Sequence, residues 1–165
     1  VLNGGELKPL TIKKLPAGER PRGVRAMSEQ TSLQMLQIMR ANVTGGSGKS
    51  ANAPGLSVGG KTGTGEKYDP AIRGYSKQRQ VSSFAAVFPT AGPIEADRYF
   101  VLILMDEPHA SANTYGYSTG GWVAAPAAGR VIDRIAPFLG VARRPELMER
   151  APVLTSADAL SGDGN

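Results

Sequence analysis

The sequence has no cysteine, one histidine and one tryptophan. Without cysteine it can form neither disulfides nor thiolate metal sites. A catalytic histidine needs a nucleophile and an orienting acid beside it. No such pattern surrounds His109, which reads as a loop residue after Pro108. Long apolar runs are also missing. The longest, residues 99–105, falls far short of the roughly 20 residues a helix needs to cross a bilayer. No signal peptide opens the chain, so any export signal or anchor is expected outside it. Glu66, Asp69, Asp106 and Glu107 form no recognisable ligand pattern, and neither metal nor cofactor is expected. The net charge of +5 is spread along the chain with few aromatics among the basic residues, which argues against nucleic acid as a partner. Finally, no serine is followed three residues later by a lysine.

Glycine and proline are plentiful, 21 and 12 residues, so many turns are expected in a single domain. Residues 1–5 read as a helix tail stopped by glycine, which suggests a cut at the N-terminus. Residues 6–15 read as a short strand and residues 16–26 as loop. Leu33, Leu36, Met39 and Val43 recur at helical spacing, predicting a helix over residues 29–43 with Ser28 as its N-cap. The glycines at 45, 46 and 48 end it.

Three strands, over residues 56–64, 80–88 and 98–106, should pair as an antiparallel meander. The third is apolar enough to be buried on both faces. A long polar loop, residues 65–79, separates the first two. A second helix over residues 123–139 presents Val123, Ala127, Val131, Ile135 and Phe138 as its apolar stripe, with small residues beside them for close packing. The pattern is α+β: an antiparallel sheet with flanking helices over residues 1–142. Residues 143–165 read as a polar, disordered tail.

Two motif matches fail on context. Residues 55–62 fit the phosphate-loop pattern G-x-x-x-x-G-K-[ST]. That loop works only between a buried strand and a helix N-terminus, and neither is available there. Nucleotide binding remains a rival reading. Ser-Ala-Asn occurs at residues 50–52 and 111–113, and both copies read as loop. The segment Lys61-Thr62-Gly63-Thr64 carries more. It sits at a glycine-flanked strand end, where a ligand can approach the backbone. Strand alternation puts Thr62 and Thr64 on one face and Lys61 and Gly63 on the other.

The wider sequence extends this signal. Pro54-Gly55 and Val58 to Thr64 are followed by Glu66-Lys67 and then by Ser82-Ser83-Phe84-Ala85-Ala86-Val87-Phe88-Pro89. Asp106-Glu107-Pro108, Tyr115-Gly116-Tyr117 and Gly120-Gly121-Trp122-Val123-Ala124-Ala125-Pro126 come next. Over most of its length the chain resembles the C-terminal part of the transpeptidase domain of class B penicillin-binding proteins. It is most similar to the division-specific peptidoglycan D,D-transpeptidases. The Asp-Glu-Pro and Gly-Trp-x-Ala-Ala-Pro segments resemble the alphaproteobacterial type.

The resemblance implies a serine enzyme that cross-links stem peptides ending in D-Ala-D-Ala and is acylated by β-lactams. It implies that Lys61 supplies positive charge near the nucleophile and that Thr62 and Thr64 bind the terminal carboxylate. It further implies that the Thr64 backbone N–H donates to an oxyanion and that Gly63 leaves room for the nucleophile's helix. Implied surroundings are the periplasmic face of the bacterial inner membrane and division-complex membrane proteins as partners.

The chain departs from the family at its centre. The Ser-x-x-Lys nucleophile motif and the true Ser-x-Asn loop are absent, so the chain alone is expected to be inactive and to need the upstream part of its own domain. The strand over residues 98–106 would lose a neighbour by that absence, and self-association through its edge is expected. The alternative is a non-catalytic module that binds a carboxylate or a protein partner. Trp122, Tyr115 and Tyr117 either line a cleft or cap the core, with core the expected place for Trp122.

Overall fold

The computed structural model describes residues 1–147 except Arg20. A two-residue strand, β1 (Glu6–Leu7), pairs antiparallel with β2 (Val24–Arg25). The expected strand over residues 6–15 is therefore cut to two residues. The expected loop over residues 16–26 supplies its partner and a 3-10 turn, Ala17–Glu19.

Helix α1 spans Glu29–Gly45, and the Ser28 side chain accepts the Thr31 N–H at its N-terminus, as the sequence predicts. Its buried residues are Ser32, Leu36 and Val43, while Leu33 and Ile38 are exposed. A 3-10 turn, Lys49–Ala51, follows.

Three long strands then form the main sheet: β3 (Gly59–Asp69), β4 (Gly74–Phe88) and β5 (Tyr99–Asp106), in the order β3-β4-β5 and all antiparallel. Helix α2 (Ala124–Ile135) packs on one face and ends in a 3-10 turn, Ala136–Leu139. Among the described residues no helix is long and apolar enough to cross a membrane.

Four expectations are corrected here. First, residues 65–79 are not a loop. The strands β3 and β4 continue as a two-stranded ribbon, with a register shift between Glu66 and Lys67, and only residues 70–73 turn. The turn has its own chemistry: the Asp69 carboxylate accepts the Ala71 N–H at 2.9 Å, and Arg73 takes a left-handed φ of 50°. Second, the buried stripe of α2 is Ala124, Ala125, Ala128, Gly129 and Ile132, whereas Phe138 is 90% exposed. Small residues win because the helix lies directly on backbone: a side chain at Gly129 would meet the Ala51 main chain at 3.1 Å.

Third, β5 is buried on one face only. Tyr99, Val101 and Ile103 pack on the core, while Phe100, Leu102 and Leu104 are more than half exposed. Fourth, the packed part of the chain runs past residue 142. The Arg144 N–H donates to the Gly55 carbonyl at 2.9 Å, and Arg143 bonds Pro54 and Asp133. Residues 148–165, most of the expected tail, lie outside the described residues.

The core gathers Val43, Leu56, Val58, Phe84, Phe88 and Ile132 with the alanines of α2. An ionic cluster fastens the base of the ribbon to the end of β5. Lys67 bonds Asp106 at 2.9 Å and Glu107 at 2.6 Å, and Arg79 reaches Glu107 at 2.8 Å and Asp69 at 3.8 Å. Hydrogen bonds from Lys67, then Arg79, pull the Glu107 carboxyl down to about 2 from its ordinary 4.5. A depressed carboxyl stabilises the fold fully above its unfolded value, and that contribution is lost as pH falls through the folded one. The stability gap between wild type and Glu107→Gln is therefore expected to close as pH drops from 4.5 toward about 2. Urea midpoints of the two proteins across that range check this. A gap that stays constant would remove Glu107 from the clamp.

Candidate active site wall

Lys61 to Thr64 lie on β3, an edge strand of the main sheet. In the register Thr62 faces Phe84 and Thr64 faces Ser82. An antiparallel ladder alternates residues whose backbone groups bond the partner strand with residues whose groups point away. The Gly60 carbonyl accepts from the Asn42 side chain at 2.8 Å, and the Thr62 carbonyl accepts from the Lys61 amine at 2.7 Å. Both carbonyls thus point off the sheet's free edge. By the same alternation, the Thr64 N–H is directed to that edge as well.

The side chains divide as strand alternation requires. Thr62 and Thr64 stand on the face that carries Phe84 and α2. There they line a cleft of about 220 Å³ together with Gly46, Ser47, Lys49, Ser50, Thr119, Gly121 and Trp122. Lys49 also lines this cleft and no carboxylate does, so its charge favours an anion. A larger cavity of about 320 Å³, between Gly55 and Arg144, shares none of these residues. Lys61 and Gly63 stand on the opposite face, with Ala85, Leu102 and Leu104 beyond them in register. The Lys61 amine curls back over the edge to Thr62, 3.3 Å from its Oγ1.

Two glycines allow close packing around the Lys61–Thr64 segment. A side chain at Gly120 would meet the Ser83 carbonyl at 2.5 Å and the Gly63 carbonyl at 2.6 Å. Without one, the Gly120 N–H reaches the Thr64 hydroxyl oxygen at 3.1 Å. A side chain at Gly60 would collide with the Phe84 ring at 2.5 Å. Phe84 is fully buried and packs directly beneath the motif's first turn of strand.

Trp122 is not a core residue as expected. It is 38% exposed, lines the cleft, and stacks on Tyr117 at 5.2 Å while meeting Tyr115 edge-on at 5.5 Å. Asn42, Ser47 and Gly120 are not marked in the sequence as site residues, and Ser50, which reads as loop, lines the cleft. Asn42 was visible as a polar residue adjoining a buried position of α1. The others needed the fold, because loop residues reach a site by geometry rather than by spacing. Asp69, Asp106 and Glu107, which form no metal-ligand pattern in the sequence, are the partners of Lys67 and Arg79. The phosphate-loop match is followed by strand, since residues 59–62 open β3. His109 lies outside any helix or strand.

Comparison with known proteins gives a consistent result. The sequence pattern of the family described as "Penicillin binding protein transpeptidase domain" matches residues 1–133. A protein of Caulobacter vibrioides described as "Probable peptidoglycan D,D-transpeptidase FtsI" is 74% identical over 151 residues, which is 90% of this chain and 26% of that protein. Among solved structures, the apo transpeptidase domain of Burkholderia pseudomallei penicillin-binding protein 3 superposes with a TM-score of 0.71 at 29% identity, covering 87% of this chain and 40% of that one. Penicillin-binding protein 3 of Mycobacterium tuberculosis, complexed with ampicillin, gives 0.63 at 26% identity, covering 81% and 28%. The chain thus spans 26% of the length of the Caulobacter relative.

Proposed function

Because the chain belongs to the family of penicillin-binding protein transpeptidase domains, we propose that it is one wall of a serine D,D-transpeptidase active site. In this reading it binds the carboxylate end of a D-Ala-D-Ala stem peptide, or of a β-lactam, and supplies half of the oxyanion hole. The observation that carries it is the position of Lys61 to Thr64 on a free strand edge, with the backbone of alternate residues directed outward.

The geometry supports the following roles. A peptide lies along the edge of β3 as an added strand, as extended ligands do on exposed edges. Its carboxylate sits in the cleft against Thr62 and Thr64, with Lys49 and Lys61 as nearby positive charge. Gly63 keeps the opposite face clear of side-chain bulk. The Thr64 N–H receives the charge that builds on the carbonyl oxygen as a serine adds to it; the C–N bond then breaks and the leaving nitrogen takes the proton. An amine of a second stem peptide displaces the serine.

That serine is not in this chain. It belongs, in this reading, to the upstream part of the same domain, which covers the open face of Phe100, Leu102 and Leu104. The whole protein works at the periplasmic face of the inner membrane, in septal cross-linking with division-complex membrane proteins. Covalent labelling by a β-lactam tests the reading.

With that face bare and no strand beyond β5 among the described residues, the isolated chain is expected to self-associate. Sedimentation velocity over a range of concentrations checks this. A single monomer boundary at every concentration would contradict it.

A further inference from the structure

The hydroxyl protons of Thr62 and Thr64 are ordered differently, and one carbonyl sets the order. The Gly60 carbonyl can only accept, so the Asn42 group 2.8 Å from it is the NH2. The Asn42 Oδ1 therefore faces the other way, toward Ser47, and can only accept there. The Ser47 hydroxyl gives it its single proton over 3.2 Å. With that proton used, the Ser47 oxygen can only accept from Thr62, 2.9 Å away. The Thr62 proton is thus committed to the protein. What Thr62 offers outward is a lone pair, which the Lys61 ammonium meets at 3.3 Å.

Thr64 is the reverse case. Its oxygen accepts the Gly120 N–H at 3.1 Å, and among the described residues its own proton goes to no protein acceptor. The hub of the arrangement is held firmly. The Asn42 carbonyl accepts the N–H groups of Gly46 and Gly48 at 3.0 and 3.2 Å. A side chain at Gly48 would press on Asn42 Nδ2 at 2.9 Å.

We propose that the two threonines have opposite duties: Thr64 alone donates to the ligand carboxylate, while Thr62, held by Ser47 and Asn42, is the acceptor that seats the Lys61 ammonium. Asn42 and Ser47 are positioning residues. The inference rests on the reading that a carboxylate binds at this strand, and it predicts an unusual coupling. Removing Ser47 frees the Thr62 proton, so Thr62 can then substitute for Thr64.

The test uses the longer protein that carries this chain with its upstream part, and benzylpenicillin as the carboxylate probe. Second-order acylation rates are measured for Thr64→Val, Ser47→Ala and the double variant. Thr64→Val is expected to slow acylation by about 10- to 100-fold, the range of one hydrogen bond to a charged group. On the Ser47→Ala background the same change is expected to cost at least about threefold less, because a rescued hydrogen bond restores part of that range. A merely structural Ser47 gives an equal or larger loss, and that result overturns the inference while leaving the carboxylate reading intact. No effect of Thr64→Val on either background overturns both. If Ser47→Ala does not fold, Ser47→Gly makes the same test, since the neighbouring residues 46 and 48 are already glycine.

Discussion

Incubated with a β-lactam, this chain alone is expected to gain no mass, and the same chain co-expressed with the upstream part of its domain is expected to gain one drug equivalent. The difference is all or none because of what each part holds. In a serine acyl-transfer site, removing the nucleophile alone costs about 10⁶ in rate, whereas removing one oxyanion donor costs about 10²–10³. The chain keeps the outward Thr64 N–H and the cleft, and has no serine with a lysine three residues on. Orienting a ligand without a nucleophile produces no covalent product. Intact-protein mass spectrometry reads the result directly. An adduct on the isolated chain would place the nucleophile within these 165 residues. No adduct in an intact complex would reduce the family relationship to one of fold without activity.

The second large effect is expected on stability. Phe84→Ala should cost about 3–5 kcal/mol, the usual range for emptying a buried phenylalanine site. A domain of this size is stable by about 5–15 kcal/mol, so the variant should be partly unfolded at moderate temperature. The site cannot collapse easily to fill the gap. The ring is fully buried, and its neighbours include the backbones of Gly60 and Gly48, which have no side chains to move in. Phe84 is also the register partner of Thr62, so the loss should loosen the motif itself. Phe138→Ala is the control. At 90% exposure it should shift stability by no more than about 0.5 kcal/mol. Urea denaturation of both variants decides the matter. A Phe84→Ala cost below about 1 kcal/mol would mean that the core is not organised around this ring.

Much of this arrangement is legible in the sequence, and the failures share a cause. Helix α1 was readable because its cap and its periodicity agree: Ser28 begins it and Leu36 and Val43 anchor it. The division of Thr62 and Thr64 from Lys61 and Gly63 needs only strand alternation. The ribbon was not readable, because the side chains joining its two strands are the Arg79–Asp69 ion pair and the Tyr68–Tyr75 contact, 6.0 Å between ring centres, rather than an alternating apolar pattern. In α2, valine and isoleucine drew the expected stripe to the wrong face. Alanine and glycine were buried instead, since close approach of the helix to the Ala51 backbone excludes larger side chains. The apolar run of β5 gave no sign that its alternate side chains would be uncovered. Periodicity cannot distinguish a face buried within one chain segment from a face awaiting another. Trp122 was misplaced for a related reason: its partners Tyr115 and Tyr117 come from a loop, and loop geometry leaves no period to read.

Strand β3 has a mechanical consequence. It runs from Gly59 to Asp69, so the Lys61–Thr64 segment and the ribbon are parts of one rod. At the far end Tyr68, Ile72 and Tyr75 are exposed, offering a grip that begins at Tyr68, in the strand beyond Thr64. A pull on that grip reaches the Thr64 N–H along the backbone, and the register shift between Glu66 and Lys67 is the one joint on the way. The ionic clamp around Glu107 sits at that joint. A tug at the tip therefore meets the Lys67–Glu107 and Arg79–Glu107 ion pairs before it reaches Thr64.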